Sequence, residues 1–299
     1  MSGTDNFARY PSLKDRVVII TGGASGIGAS MVAHFAAQGA RPVFLDFDRE
    51  HGARVSAETG ALFLPCDLRD IAALRAVLAE VHAKLGPASV LVNNAARDDR
   101  HGWETVEPEY WDERMHTNLR HQFFCAQAVA PQMKAAGAGS IICMGSVSWF
   151  KAQGGMPAYT TAKAAVHGLS RGLARDLGPF GIRCNVVVPG WIFTERQQQL
   201  WATPESVAAN LERQCLKEKL YPPDVARMVL WLAADDSRMV TAQSFVVDGE
   251  HLTAERRVRS PGPPRSKRRR QGEAHGKRLR RVEMPVLHPA AGSPGRREA

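Results

Sequence analysis

The chain has 299 residues, 44% hydrophobic and 23% charged, a composition that fits a soluble globular protein and excludes a collagen-like, wholly disordered or disulfide-scaffold chain. The net charge of +9 is uneven: residues 253–299 hold fourteen Lys and Arg against four Asp and Glu, so the basic character belongs to a tail and not to a folded face. No apolar run approaches the roughly 18 residues of a membrane span, and no apolar leader opens the chain. The five cysteines are widely spaced with no C-x-x-C pair, so the expectation is a reducing, cytoplasmic setting without a metal site.

Residues 16–20 (RVVII) predict a strand running into a glycine-rich turn. A helix is expected over 27–38, with Ile27, Met31, Val32 and Phe35 apolar and Gly39 as its stop. Strands are expected at 42–45, ending at Asp46, and at 62–66. The spacing of Ile71, Leu74, Leu78, Val81 and Leu85 predicts a helix over 71–85. A strand at 89–92 runs into Asn93-Asn94-Ala95-Ala96. Next come one long helix over 108–136, a strand at 140–144, a helix over 158–177 and a strand at 182–188. Residues 195–216 and 223–234 read as helices, and 244–247 as the last strand. Apolar strands separated by amphipathic helices predict an α/β fold: a single doubly wound, Rossmann-type parallel sheet of about seven strands with helices on both faces. The expected layout is an N-terminal arm at 1–12, this domain at 13–252, and a disordered basic tail at 253–299, where periodicity vanishes and Arg, Pro, Gly and Ser dominate.

The first strand leads into Thr21-Gly22-Gly23-Ala24-Ser25-Gly26-Ile27-Gly28. Glycines between strand and helix let the backbone approach a pyrophosphate, and the helix start offers free N–H groups to it. Asp46 follows Gly28 by 18 residues, where a carboxylate can accept from ribose hydroxyls and repel a 2′-phosphate, which favours NAD over NADP. Arg49 lies close enough to complicate that preference. Asp67-Leu68 ends the third strand on the ligand side of such sheets; Asp67 can meet an adenine amino group or cap the helix that follows. Tyr159 and Lys163 stand four apart on one helix face, with Ser146 thirteen residues before Tyr159 and Asn118 inside the preceding helix.

TGGASGIG (21–28), NNAA (93–96), Asn118, Ser146, YTTAK (159–163) and PG (189–190) together resemble the short-chain dehydrogenase/reductase family over residues 13–252, in its order and spacing. Ala96, where glycine is usual, and Glu250 are minor departures. The resemblance implies a catalytic tetrad. Tyr159 is the general base in oxidation, and Lys163 lowers the Tyr pKa and binds the nicotinamide ribose. Ser146 bonds the reacting oxygen, and Asn118 holds a water in a proton relay. It also implies cofactor contacts from Gly22, Ser25, Gly26, Ile27, Gly28, Asp46, Asp67, Leu68, Asn94, Tyr159, Lys163, Pro189, Gly190 and Ile192. Family members commonly form tetramers through two long helices, here 108–136 and 158–177. Phe123, Phe124, Val129 and Val166 exceed the apolar needs of one face, so a homo-oligomer is expected.

The substrate is read from three segments: the polar loop Arg97-Asp98-Asp99-Arg100-His101, Ser148-Trp149 after the catalytic serine, and Trp191 after Pro189-Gly190. Polar groups that engage hydroxyls and aromatic faces that pack on C–H surfaces suit a sugar. The expected substrate contacts are Asp98, Ser146, Ser148, Trp149, Tyr159 and Trp191. The stretches ARDDRHGWETV, YWDERMHTNLRHQFFCAQAVAP and QCLKEKLYPPDVA are similar to the NAD-dependent aldose 1-dehydrogenases of that family, with D-xylose as first substrate and D-galactose or L-arabinose next. One alternative is another secondary alcohol or ketone, a polyol or a 3-oxoacyl compound. An alternative of another class is an NAD-sensing nucleic-acid-binding module using RSKRRR (265–270) and KRLRR (277–281). The tail lacks aromatics for base stacking, so nucleic-acid contact is expected to be non-specific at most.

Overall fold

Seven strands form because their residues are largely β-branched or aromatic and apolar on both faces: β1 (Val17–Thr21), β2 (Arg41–Asp46), β3 (Leu62–Pro65), β4 (Ala88–Asn93), β5 (Gly139–Met144), β6 (Ile182–Pro189) and β7 (Ser244–Val247). The computed structural model describes residues 7–249, so the expectations for the basic tail and for the first six residues of the arm fall outside the described residues. All neighbouring strands are parallel, in the order β3-β2-β1-β4-β5-β6-β7. The helices between them are α1 (Gly26–Ala37), α2 (Arg49–Thr59), α3 (Ile71–Leu85), α4 (Pro108–Met115), α5 (His121–Ala136), α6 (Pro157–Leu177), α7 (Glu195–Leu200), α8 (Pro204–Arg213) and α9 (Pro222–Ala233).

Alternate strand residues feed two cores. Val17, Ile19 and Leu91 join Leu74 and Leu78 of α3, Val129 and Met133 of α5 and Val166 of α6. Val18, Ile20, Val90 and Val92 join Met31, Val32 and Phe35 of α1 and Val225 and Val229 of α9. Both faces of the central strands are therefore dry, which is why those strands are continuous apolar runs. The strand order reverses between β1 and β4. The loops leaving their carboxyl ends part there and open a crevice.

Three expectations about elements are corrected. The helix expected over 108–136 is interrupted: a π turn, His116–Arg120, separates α4 from α5 and carries Asn118 at its middle. The helix expected over 195–216 is two, because Pro204 lacks an N–H and holds Thr203 extended (ψ 156°), where Thr203 and Ser206 form a capping box for α8. Helix α2 was not foreseen. Only Gly52 and Val55 of it are buried, so its apolar periodicity is weak, although Asp48 caps its start and Gly60 (φ 71°) ends it. The expected surplus of apolar residues on the long helices also shrinks: Val129 and Val166 are buried in the chain's own core, and only Phe123 of the four stays exposed, at 41%. Among the described residues no helix is long and apolar enough to cross a membrane, and no cluster of His, Cys, Asp and Glu could hold a metal ion.

Candidate active site

A cleft of about 1330 Å³ lies along the carboxyl ends of the strands. Its cofactor half is built from glycine geometry. Gly22 turns the chain with φ +68°, and a Cβ there would meet the Ala95 Cα at 2.7 Å. A Cβ on Gly28 would lie 1.8 Å from the Gly22 carbonyl oxygen. Side chains are thus excluded where a pyrophosphate would approach, and a dinucleotide fits this cradle. Ser25 occupies the N-cap of α1, but its hydroxyl caps nothing and faces the cleft. Thr21 and Asn94 stitch β1 to β4: the Thr21 hydroxyl accepts from the Asn94 and Ala95 N–H groups at 3.0 and 3.1 Å. The Asn94 amide donates to the Thr21 and Gly22 carbonyls at 3.0 and 2.9 Å.

Asp46 ends β2 on the cleft wall. Its carboxylate accepts from the Ala24 N–H (3.0 Å) and the Asp48 N–H (3.1 Å). Burial raises its pKa, with those two N–H groups opposing. Asp67 is not the cap of α3; Asp70 is, accepting from the Ala73 N–H at 3.0 Å. Asp67 instead faces the cleft in a forked pair with Arg69, whose hydrogen bond holds the carboxyl below its usual range. Leu68, Pro189, Gly190 and Ile192 also line the cleft, and so does Arg54, whereas Arg49 does not.

The catalytic half gathers at the ends of β4, β5 and β6. The Ser146 hydroxyl acts on the Tyr159 phenol, and the Ser148 N–H donates to the Ser146 hydroxyl at 3.2 Å. Lys163 is buried one helical turn after Tyr159, with its Nζ 5.7 Å from the Tyr159 ring centroid and donating to the Met144 carbonyl at 2.7 Å. Burial and then the Asp98 charge push the Tyr159 phenol up to about 12, with the Ser146 hydroxyl and Arg100 opposing. Burial pulls the Lys163 ammonium down to about 8, with Cys143 and Asp98 opposing. Asn118 lies behind this pair. Its side chain accepts from the Arg97 N–H (2.8 Å) and donates to the Arg114 carbonyl (3.0 Å), and its own carbonyl accepts from the Gln122 amide (2.9 Å).

The far wall divides the polar loop by role. Asp99 is bound by Arg97, Arg114 and Arg196; burial works upward on its carboxyl, but the three guanidinium groups hold it below the ordinary value. His101 accepts from the Ala158 N–H at 3.2 Å and so braces the start of α6. Asp98 faces the cleft and accepts from Gln197 of α7 at 2.8 Å, and Gln197 in turn accepts from the Trp191 indole at 3.0 Å. Ser148 lines the cleft with a buried hydroxyl that has no hydrogen-bond partner among the described residues. Trp149 stands off the cleft wall: it is 40% exposed, and its indole donates to His167 at 3.1 Å. Gln197, Met156 and Trp201 were not expected in this wall, where Arg100 of the polar loop lies over the Trp201 ring and reaches the Met156 sulfur. No periodic signal marks them, because they sit in irregular segments or on the short helix α7 and its C-cap.

Glycine cradle, strand-end carboxylate and buried Tyr–Lys pair at a sheet switch point define a dinucleotide-dependent oxidoreductase site. Residues 22–249 match the family described as Enoyl-(Acyl carrier protein) reductase. The Probable galactose dehydrogenase GalD of Rhizobium meliloti (strain 1021) is 49% identical over 248 residues, covering 81% of this chain and 97% of the relative. The D-xylose 1-dehydrogenase of Caulobacter vibrioides (strain NA1000 / CB15N) is 47% identical over 246 residues, again covering 81% and 97%. A solved short chain dehydrogenase/reductase family protein superimposes with a TM-score of 0.72 at 29% identity, covering 80% of this chain and 98% of that one. The chain belongs to the short-chain dehydrogenase/reductase family. It is an oxidoreductase that uses a nicotinamide cofactor.

Proposed function

We propose that the protein oxidises the anomeric hydroxyl of an aldose to the aldonolactone with NAD. The observation that carries this reading is the Asp98–Gln197–Trp191 chain, which lines the same cleft as Tyr159 and whose Asp98 charge acts on the Tyr159 phenol, polar groups and an aromatic ring in one wall. The relatives named for galactose and D-xylose support it, and D-xylose and D-galactose are the first substrates to test. Asp46 supports NAD over NADP, since its half-buried carboxylate would repel a 2′-phosphate.

In this reading Tyr159 and Ser146 hold the anomeric oxygen, and Tyr159 takes its proton while C1 gives up a hydride. When bound, the oxidised nicotinamide supplies the hydride acceptor and a positive charge. A phenol at its ordinary pKa of about 10 is already protonated at neutral pH, and burial pushes Tyr159 further up to about 12, so it needs cationic neighbours to ionise. Arg100 already acts on the phenol in that direction, and Lys163, with its Nζ 5.7 Å from the Tyr159 ring centroid, is a second cation of the chain beside it. We further read the protein as a homo-oligomer of the cytoplasm, supported by exposed Phe123 and Trp111 on α5 and α4 and by free cysteines, four of them buried.

Kinetics over a panel of aldoses, polyols and 3-oxoacyl compounds with both cofactors test the assignment. The expected result is the largest kcat/KM on an aldose with NAD, with lactone as product; a polyol or 3-oxoacyl preference refutes it. Tyr159→Phe keeps the ring and should bind NAD normally while kcat falls by about 10²–10⁴, the weight of general base catalysis.

A further inference from the structure

The loop that leaves β5 carries Ser146 and Ser148 and folds into a turn closed by its own backbone. The Lys151 N–H donates to the Val147 carbonyl and the Gln153 N–H to the Ser148 carbonyl, both at 3.0 Å. Within the turn the Ser148 N–H donates to the Ser146 hydroxyl at 3.2 Å, so the place of that hydroxyl follows the place of the turn. Ala152, next to Lys151, stands at φ 50°, a left-handed backbone that a residue with a Cβ adopts only where its surroundings impose it.

Two side chains of this turn reach the last strand and the residue after it. Trp149 Nε1 donates to His167 Nε2 at 3.1 Å. An indole only donates, so the His167 proton is on Nδ1 and goes to the Ser244 hydroxyl of β7 at 2.9 Å. The second tether is buried: Lys151 Nζ meets Asp248 Oδ2 at 2.8 Å, with the two side chains 13% and 6% exposed. Asp248 is itself closely held. A Cβ on Gly190 would lie 2.5 Å from the Asp248 Cβ, and the Gly190 N–H donates to the Val247 carbonyl at 2.9 Å. One residue on, the Gly249 carbonyl accepts from the Cys215 and Leu216 N–H groups at 3.0 and 3.1 Å. A buried ion pair adds little stability over an apolar pair of similar size, so what it offers the turn is a fixed geometry.

We propose that Lys151 is a positioning residue for Ser146: its buried ion pair with Asp248 fixes the turn whose Ser148 N–H sets the Ser146 hydroxyl against the reacting oxygen. Its role rests on the reading in which Ser146 holds the anomeric oxygen. The cradle for the dinucleotide lies on the loops after β1 and β2, so a loosened turn disturbs the chemical step and leaves cofactor binding alone.

The test compares Lys151→Met, Ser146→Ala and the two combined with the wild type, as full chains with NAD and the best aldose, at a temperature where all are folded. In Lys151→Met, kcat should fall about tenfold or more, since misplacing a reacting group by about 1 Å costs up to about a hundredfold. The dissociation constant of NAD, read by fluorescence titration, should hold. In the Ser146→Ala background the same change should cost nothing further, because no hydroxyl is left to place. A wild-type kcat in folded Lys151→Met overturns the proposal. So does a loss as large in the Ser146→Ala background as in the wild type, the mark of a role that does not pass through Ser146, and so does a loss confined to NAD affinity. Should Lys151→Met not fold, Lys151→Met/Asp248→Leu, which removes both charges together, carries the same comparison. Ser146→Ala separates the two readings. If it keeps the wild-type kcat, the catalytic reading itself fails; if it loses kcat while Lys151→Met does not, only the role of Lys151 fails.

Discussion

Asp46 and His121 show how burial turns one side chain into a measurable property. Asp46 is fixed by two backbone N–H groups at the end of β2, so its carboxylate cannot swing away from a ribose bound there. Asp46→Ala should therefore narrow the ratio of kcat/KM with NAD to that with NADP, by relieving repulsion of the extra phosphate; an unchanged ratio would mean the carboxylate does not meet the ribose. His121 bears on stability. Burial and Lys163 lower its pKa from 6.5 to about 3. Between those values the unfolded chain binds a proton that the folded chain refuses, so stability is fully present above about pH 6.5 and declines as the pH falls toward 3. The urea midpoint should drop across this window, and it should drop less in His121→Leu. Equal acid sensitivity of the two proteins would assign the effect to other groups.

At the scale of elements, the turn after β1 is the least tolerant. A methyl group on Gly28 would have to displace the Gly22 carbonyl, a backbone atom with nowhere to move. Gly28→Ala should weaken NAD binding by at least tenfold, read by fluorescence titration, and lower stability by about 1–3 kcal/mol, the usual weight of overpacking. Binding at wild-type strength would show that the loop can yield. This turn was legible in the sequence because strand, glycines and helix follow one another without interruption, and Ser146, Tyr159 and Lys163 were legible through their spacing. The π turn was not. Its residues HTNLR have ordinary helical character, and the extra residue in the turn is a matter of hydrogen-bond register, which local sequence does not encode. His121 left a signal that could have been read: a polar residue in phase with Cys125, Val129 and Met133. Trp149 gave the opposite lesson. Its place beside Ser148 suggested the cleft, but its indole turns to His167, a residue eighteen positions away that adjacency in the chain does not reveal.

For the whole molecule, every residue assigned to chemistry or cofactor lies between Gly22 and Ile192, before the basic stretch at 253–299 in the sequence that gives the chain its net charge. A chain ended after Leu252 should keep its kcat and KM for sugar and NAD, and a loss of activity would show that the removed residues complete the site. Light scattering of the full chain at micromolar concentration should give a multiple of 32.7 kDa, and a clean monomer mass would refute the oligomer. The stitch made by Thr21 and Asn94 has a wider consequence. The loops after β1, β2 and β3 present Gly28, Asp46 and Asp67, while those after β4, β5 and β6 present Asp98, Ser146 and Trp191. In the proposed reading, the adenosine end of the cofactor is met on the first half and the sugar on the second, with a seam between β1 and β4 joining them. A lineage can rewrite either half while inheriting the other, provided the seam between β1 and β4 is left intact.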